Sequence, residues 1–365
     1  MITERISAAG TSIWLDDLSR AKLTDTGAHG LPHRITHNGV VGVTTNPSIF
    51  NGAISKGAEY SASIASLADQ TPEEVVTVLT TDDVRSACDL FANVFISSNG
   101  LDGRVSIEVD PRSARDTEAT IEEGIALWKL VDRPNAMIKV PATLEGLAGI
   151  TELISKGISV NATLIFSVQR YQQVFNAFLQ GMEKRVALGE SIKEVTSVAS
   201  FFVSRIDAAV DALLKKIDTP ESNKLLGKAA IANAVLAYEL FEKLCNTQRW
   251  KALERLGARV QRPLWASTGV KDPAYDDTRY VLELIAPHTV NTMPQTTLDA
   301  VLDHGVFRGE SITSKYSDAH EVFQNLSRIG ISLDEVTESL EIEGVEKFAS
   351  AWNELLQSVE KAISS

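Results

Sequence analysis

The chain has 365 residues, 44% of them hydrophobic and 23% charged, with a formal net charge of −13. The length is ample for a large buried core, and α/β barrels with insertions routinely exceed ~300 residues as one unit. The acidic balance argues against a nucleic-acid binder, which needs a basic field against phosphates, and any phosphate handled here requires a local basic pocket.

Cys88 and Cys245 are far apart and each lies in a helix-like stretch, so neither a disulfide framework nor a cysteine metal site is expected. Met1-Ile2-Thr3-Glu4-Arg5 lacks a basic stretch followed by an apolar one, so no secretory signal is expected there. No run approaches the ~20 apolar residues that span a bilayer. A reducing, cytoplasmic setting is the expectation, with no membrane partner.

In chain order, eight short β-rich runs alternate with amphipathic stretches. They are Ser12 to Asp16, Val40 to Thr44, Val105 to Val109, Ala136 to Val140, Ile158 to Thr163, Thr196 to Val203, Arg262 to Ser267 and Thr289 to Met293. Between them lie helical signals. Thr71-Pro72-Glu73-Glu74 combines a capping Thr, a proline in the first turn and a Glu three residues on. Leu147, Ile150 and Ile154 form one apolar stripe, and Ile231, Val235 and Leu236 belong to a long helix before the seventh run. Beyond about residue 306 the pattern is helical throughout. Ser332-Leu333-Asp334-Glu335 reads as a capping box, and Phe348, Trp352, Leu355, Leu356, Val359 and Ile363 share a helix face expected to pack on the rest of the protein.

Strand–helix alternation implies parallel strands with right-handed crossovers, and eight such units close into an α/β (β/α)8 TIM barrel. The expectation is one domain over residues 1–365, with 306–365 as an additional C-terminal helical segment packed on the barrel. An open doubly wound sheet is the competing arrangement. No glycine-rich nucleotide fingerprint follows the first strand.

Barrel strands are buried on both faces and should be apolar throughout, so polar interruptions are informative. They are Asp16, Asn46 just past the second strand, Glu108, Lys139, Asn161 with Thr163, Ser200 and Ser267. All fall in the C-terminal half of their strands or just beyond, where barrel active sites are built. Lys139 stands between Ile138 and Val140. Burial disfavours a lysine's charged form and so frees its amine as a nucleophile. The bland reading is a structural ion pair with Glu108 or Asp16. Two carboxyl groups in different environments suit the paired proton transfers of Schiff-base chemistry. Asp16 equally reads as a helix cap, since Asp17 and Ser19 follow. Arg205 after the sixth strand, and Ser267 with Lys271 after the seventh, stand where barrels often bind phosphate. Taken singly, Arg205 and Lys271 are more ordinary as solvated charges. His29, His33 and His37 are spaced by four, as metal ligands on a helix would be, but Gly30 and Pro32 are expected to break that helix. No metal site is expected.

Thr44-Thr45-Asn46-Pro47-Ser48 and Ile138-Lys139-Val140-Pro141-Ala142-Thr143 resemble signatures of the transaldolase family. So do Trp14-Leu15-Asp16, Val105 to Asp110 and Asn161-Ala162-Thr163-Leu164, giving five ordered motifs within about residues 12–300. The resemblance implies a Schiff-base lysine at Lys139. Asp16 would take the proton from the substrate's C4 hydroxyl, and Glu108 with Thr163 would hold a catalytic water. Asn46, Asn161 and Ser200 would hold hydroxyls of a dihydroxyacetone unit, and Arg205 and Ser267 a phosphate. It further implies sugar phosphates as partners, no metal or organic cofactor, and a monomer or homodimer.

Two positions bear on that likeness. Many transaldolases carry an Arg two residues after the serine matching Ser267; here Gly269 stands there and Lys271 offers the nearest charge. Short aldolase relatives have a Tyr where this chain has Phe202, which favours transfer over simple cleavage. Three other readings compete: a Schiff-base aldolase splitting fructose 6-phosphate without an acceptor, a non-catalytic sugar-phosphate binder, and a metal-dependent barrel hydrolase. The last needs histidines at strand ends, and the strand runs contain none.

Overall fold

A computed structural model describes residues 1–364. Among the described residues, eight parallel strands close into a barrel in the order β1 to β8, with β1 paired to β8. The strands are β1 Thr11–Asp16, β2 Gly42–Thr44, β3 Arg104–Glu108, β4 Ala136–Pro141, β5 Val160–Ile165, β6 Ser197–Phe202, β7 Arg262–Ala266 and β8 Thr289–Met293. All eight expected runs are strands, with ends shifted by a residue or two. The second is shorter than expected, because Val40 and Val41 only lead into it. The doubly wound alternative is excluded by closure.

The expected helices form where their caps lie. Thr71 Oγ1 accepts from the Glu74 amide while the Glu74 carboxylate accepts from the Thr71 amide, starting the helix Pro72–Leu90. Thr143 and Ser167 cap the helices after β4 and β5 by their hydroxyls alone, accepting from the Gly146 and Arg170 amides. Ser332 makes only half of the expected box: its hydroxyl accepts from the Glu335 amide at 3.3 Å, with no reciprocal bond. Gly30 and Pro32 do not break a helix but begin one, Leu31–Asn38, with Gly30 at the cap and Pro32 in the first turn. The expected break is corrected, because a proline in the first turn has no intrahelical N–H partner to lose. His33 and His37 stack on that helix with ring centroids 4.3 Å apart. Among the described residues no group of three or more His, Cys, Asp or Glu side chains is arranged to hold a metal ion. None of their helices is long and apolar enough to cross a membrane.

The N-terminal end of the barrel is closed by a polar plug. Asp102, just before β3, accepts from Ser12 Oγ (2.8 Å), Trp14 Nε1 (3.1 Å) and Arg262 Nη2 (3.0 Å), tying β1 and β7 to the lead-in of β3. Gly42 on β2 leaves room for the Trp14 ring, since a Cβ there would sit 2.6 Å from it.

At the opposite end lies the terminal helix Leu333–Ile363, 31 residues and so about 46 Å long at ~1.5 Å per residue. It packs on the helices Pro47–Ile54, Ser61–Ser66, Pro72–Leu90 and Ser204–Ile217 and on β5. These contacts lay it across the C-terminal mouth of the barrel. Phe348, Trp352, Leu355, Leu356 and Val359 are buried beneath it. Arg170 clasps Glu341 through Nε and Nη2, at 3.1 and 3.2 Å.

Candidate active site

Side chains alternate along a strand, so every second residue faces the barrel interior. Parallel register then decides which interior groups become neighbours. Glu108 pairs with Lys139 and Lys139 with Asn161, while Asp16 pairs with Thr44. Strands β1, β3, β4 and β5 thereby deliver an amine, two carboxyls and an amide to the same end of the barrel.

Lys139 Nζ lies 3.3 Å from Glu108 Oε2 and donates to the Thr45 carbonyl at 2.9 Å. It is nearly buried yet contributes to the wall of a cavity of about 180 Å³. The cavity is also lined by Asp16, Thr44, Asn46, Ser48, Ser200, Phe202, Arg205, Ser267, Gly269, Lys271, Thr292 and Phe348. The ion pair with Glu108 is therefore real, but it sits at the floor of an open site. A larger groove of about 670 Å³ between Glu221 and Arg328 lies away from these groups and brings no nucleophile together with a base.

The two carboxyls have different surroundings. Burial pushes the Glu108 carboxyl up to about 7, against the pull of the Lys139 charge, with Asp16 adding a smaller upward push. Burial also raises Asp16 above the usual carboxylate range. There the Lys139 charge and the Thr44 hydroxyl, which donates at 2.6 Å, pull it back down. Asp16 is no helix cap, because Ser19 caps the helix that follows. Among the described residues neither Glu108 oxygen has a hydrogen-bond donor of good geometry, and Thr163 Oγ1 has no partner. The Glu108 environment suits a group that exchanges protons near neutral pH, and Asp16 sits in a different one.

The amides are used in two ways. Asn46 caps the helix after β2, its Oδ1 accepting from the Ile49 amide at 3.1 Å, which leaves its amide nitrogen for the cavity. Asn161 is fully buried behind the wall, where Nδ2 donates to Ser106 Oγ (3.1 Å) and Oδ1 accepts from Ser200 Oγ (2.7 Å). Ser200 lines the cavity and Asn161 orients it, so these two are brought together, while Asn161 and Thr163 themselves are buried and do not line the cavity.

Beyond β6 and β7 lies the basic rim. Arg205 rests its guanidinium 5.3 Å from the centroid of the Phe202 ring, and among the described residues its buried Nη1 has no partner. It is thus not a solvated helix charge. Ser267 adopts φ +55°, a left-handed backbone unusual for serine, and its hydroxyl lies 3.0 Å from Ser204 Oγ. Such strain held at a cavity rim is characteristic of functional positions. Gly269 stands at the wall and exposed Lys271 at the edge of the cavity.

The sequence pattern did not single out Thr44, Thr292 or Phe348. Thr44 and Thr292 share a hydroxyl contact of 2.7 Å beside Asp16, and threonines in strands carry no distinctive signal. Phe348 was expected in a helix face that merely packs. Its ring centroid lies 5.7 Å from Lys139 Nζ, a proximity that only the tertiary fold creates.

A barrel with a cavity-lining lysine between two raised carboxyls, beneath a basic rim, belongs to the class of enzymes that add a lysine amine to a carbonyl substrate. The comparisons with known proteins narrow that class. Residues 13–359 match the family model described as transaldolase/fructose-6-phosphate aldolase, and the chain belongs to this family. A protein named transaldolase from Renibacterium salmoninarum is 54% identical over 365 residues, covering 100% of this chain and 97% of that protein. The transaldolases of an Arthrobacter species and of Mycobacterium tuberculosis are 54% and 55% identical, over 100% and 96% of this chain and 98% and 94% of theirs.

Proposed function

We propose that the chain is a transaldolase that moves a dihydroxyacetone unit from sedoheptulose 7-phosphate to glyceraldehyde 3-phosphate, giving erythrose 4-phosphate and fructose 6-phosphate. The observation that carries the reading is the Lys139 amine at the cavity floor, 3.3 Å from Glu108. We assign the steps as follows. Lys139 adds to the ketose C2 carbonyl, and loss of water gives the imine. Asp16 takes the C4 hydroxyl proton as the C3–C4 bond breaks. The bonding pair moves into the enamine and the aldose phosphate leaves. Addition of the acceptor aldehyde reverses these movements, and water returns to release the product. Glu108 and Thr163 hold and activate that water, which their free hydrogen-bonding capacity fits. Asn46 and Ser200, the latter aligned by Asn161, hold the hydroxyls. Arg205, Ser267 and Lys271 hold the phosphate; the forked guanidinium offers paired donors to its oxygens.

No metal or organic cofactor is required by this sequence of steps. We read the chain as one domain with residues 306–365 as its extension, acting in the cytoplasm on sugar phosphates as a monomer or homodimer. Cleavage of fructose 6-phosphate without an acceptor is the second reading. Phe202, which lacks a hydroxyl to hold a water at the cavity wall, favours transfer. The test is borohydride trapping with fructose 6-phosphate, followed by intact mass and peptide mapping. A dihydroxyacetone-derived adduct on Lys139, absent in Lys139→Ala, is the expected result. Turnover without any adduct would overturn the Schiff-base assignment, and dependence on an acceptor aldehyde separates the two readings.

A further inference from the structure

The terminal helix is not one of the eight β/α units, yet it supplies a wall of the cavity. Phe348 is 5% exposed, and its ring is the part of that helix placed over Lys139 Nζ. One turn earlier, Gly344 brings the helix backbone down onto the tip of β5. A Cβ there would stand 3.1 Å from Leu164 Cδ2 and 3.4 Å from the Phe166 ring. Leu164 itself has φ +60° at a register shift in β5, directly after Thr163. The Arg170–Glu341 clasp fixes the helix a further turn back. The ring is thus held by a close-packed backbone contact and a half-buried ion pair, an expensive way to seat a residue that only fills space.

We propose that Phe348 shields the Lys139 adduct from bulk water and so sets the ratio of transfer to hydrolysis. This rests on the assignment of Lys139 as the Schiff-base residue. After the aldose phosphate leaves, the enamine has two fates. It adds to an acceptor aldehyde, or it takes a proton at the carbon that lost the aldehyde. In the second case water adds to the imine carbon, the C–N bond breaks with its electron pair staying on Nζ, and free dihydroxyacetone departs. A transferase must suppress the second fate while it waits for an acceptor. An apolar ring over the nitrogen does this by limiting the approach of water to the imine carbon, whereas the water assigned above to Glu108 and Thr163 would serve the productive steps.

The experiment measures two rates for each variant: release of free dihydroxyacetone from fructose 6-phosphate alone, and transfer when erythrose 4-phosphate is present. Their ratio does not depend on how much of the preparation is active. For Phe348→Ala the hydrolysis-to-transfer ratio is expected to rise about tenfold or more, as water reaches the adduct. Phe348→Leu, which keeps an apolar cover, is expected to stay within about threefold of the unmodified chain. Phe348→Val, which opens a smaller hole, carries the test should the alanine variant not fold. An unchanged ratio in the Ala or Val variant, with the Lys139 adduct still trapped, overturns the shielding role and leaves the Schiff base intact. Absence of the adduct in the unmodified chain instead overturns the lysine assignment on which both depend.

Discussion

Replacing Glu108 by Gln removes one ionisable group from the floor of the cavity while keeping its shape. In the folded protein burial holds this carboxyl up to about 7, and the ammonium of Lys139 at 3.3 Å opposes that rise. A group that accepts a proton from water must be ionised to do so, so kcat/KM is expected to fall on the acid side of that value. Two pH units below the midpoint about 1% of the carboxyl is ionised, which predicts a loss of about 100-fold between pH 9 and pH 5. In Glu108→Gln this limb should disappear. The plateau itself should drop by about 10²–10⁴, the usual contribution of a positioned acid–base group, or about 2.7–5.4 kcal/mol of barrier. The assay is a pH series of kcat/KM for transfer from fructose 6-phosphate to erythrose 4-phosphate, with circular dichroism to establish folding at each pH. A variant that keeps the acid limb at the same midpoint, with a plateau within about threefold, would refute the role given to Glu108.

Asp16→Asn should still form the borohydride-trapped adduct but lose about 100-fold or more in kcat, because the imine forms before the carbon–carbon bond breaks; loss of the adduct itself would contradict that order. Arg205→Ala should raise KM for phosphorylated donors about 10- to 100-fold, as a half-buried charged contact is removed, and Lys271→Ala by less, since that side chain is exposed. Equal effects on an unphosphorylated ketose would remove the phosphate assignment. At the far end of the barrel, Asp102→Ala leaves Ser12, Trp14 and Arg262 without their shared acceptor. It should cost about 3–5 kcal/mol in urea unfolding with kcat unchanged. Glu123, whose carboxyl burial raises from 4.5 to about 7, resists ionisation in the fold and so destabilises it progressively between those values. Glu123→Gln should therefore raise stability at pH 8 by at most about 3 kcal/mol and leave it unchanged at pH 4, which thermal unfolding at the two pH values will test.

Much of this architecture was legible because buried parallel strands have a strict requirement for apolar residues. Against that background Asp16, Glu108 and Lys139 stood out as exceptions, and the cavity holds Asp16 and Lys139 in its wall with Glu108 against the lysine. What the pattern could not show was depth. Asn46 and Asn161 look alike in sequence, yet one caps a helix at the cavity wall and the other is locked behind Ser200 by two hydrogen bonds. The His33–His37 helix was missed because Pro32 was weighed as a breaker, whereas its position two residues after the cap makes it a starter. Phe348 was legible only as one more apolar residue in a stripe. Its placement over Lys139 depends on where a 31-residue helix crosses the barrel, and nothing within that helix specifies this.

The geometry at the lysine is ultimately a matter of register. Side chains alternate with a period of two, so a slip of one residue in β3 would turn Glu108 out of the barrel and put Ile107 or Val109 against Lys139. The groups that hold register need not be near the chemistry. Asp102 binds Ser12 at the start of β1 and Arg262 at the start of β7, while it fixes the entry of the chain into β3. The other ends of β1 and β3 carry Asp16 and Glu108, and the chain leaving β7 carries Ser267. The plug and the groups to which catalysis is assigned are thus opposite ends of the same strands. A strand pinned at its base and hydrogen-bonded along its length cannot shift by a fraction of a residue. Weakening the plug should therefore change how often the barrel unfolds, and not where Glu108 stands while it is folded. On this argument Asp102→Ala must retain the acid limb near pH 7 that Glu108→Gln abolishes. A moved limb in the Asp102 variant would show that the two ends are coupled through continuous strain rather than through register.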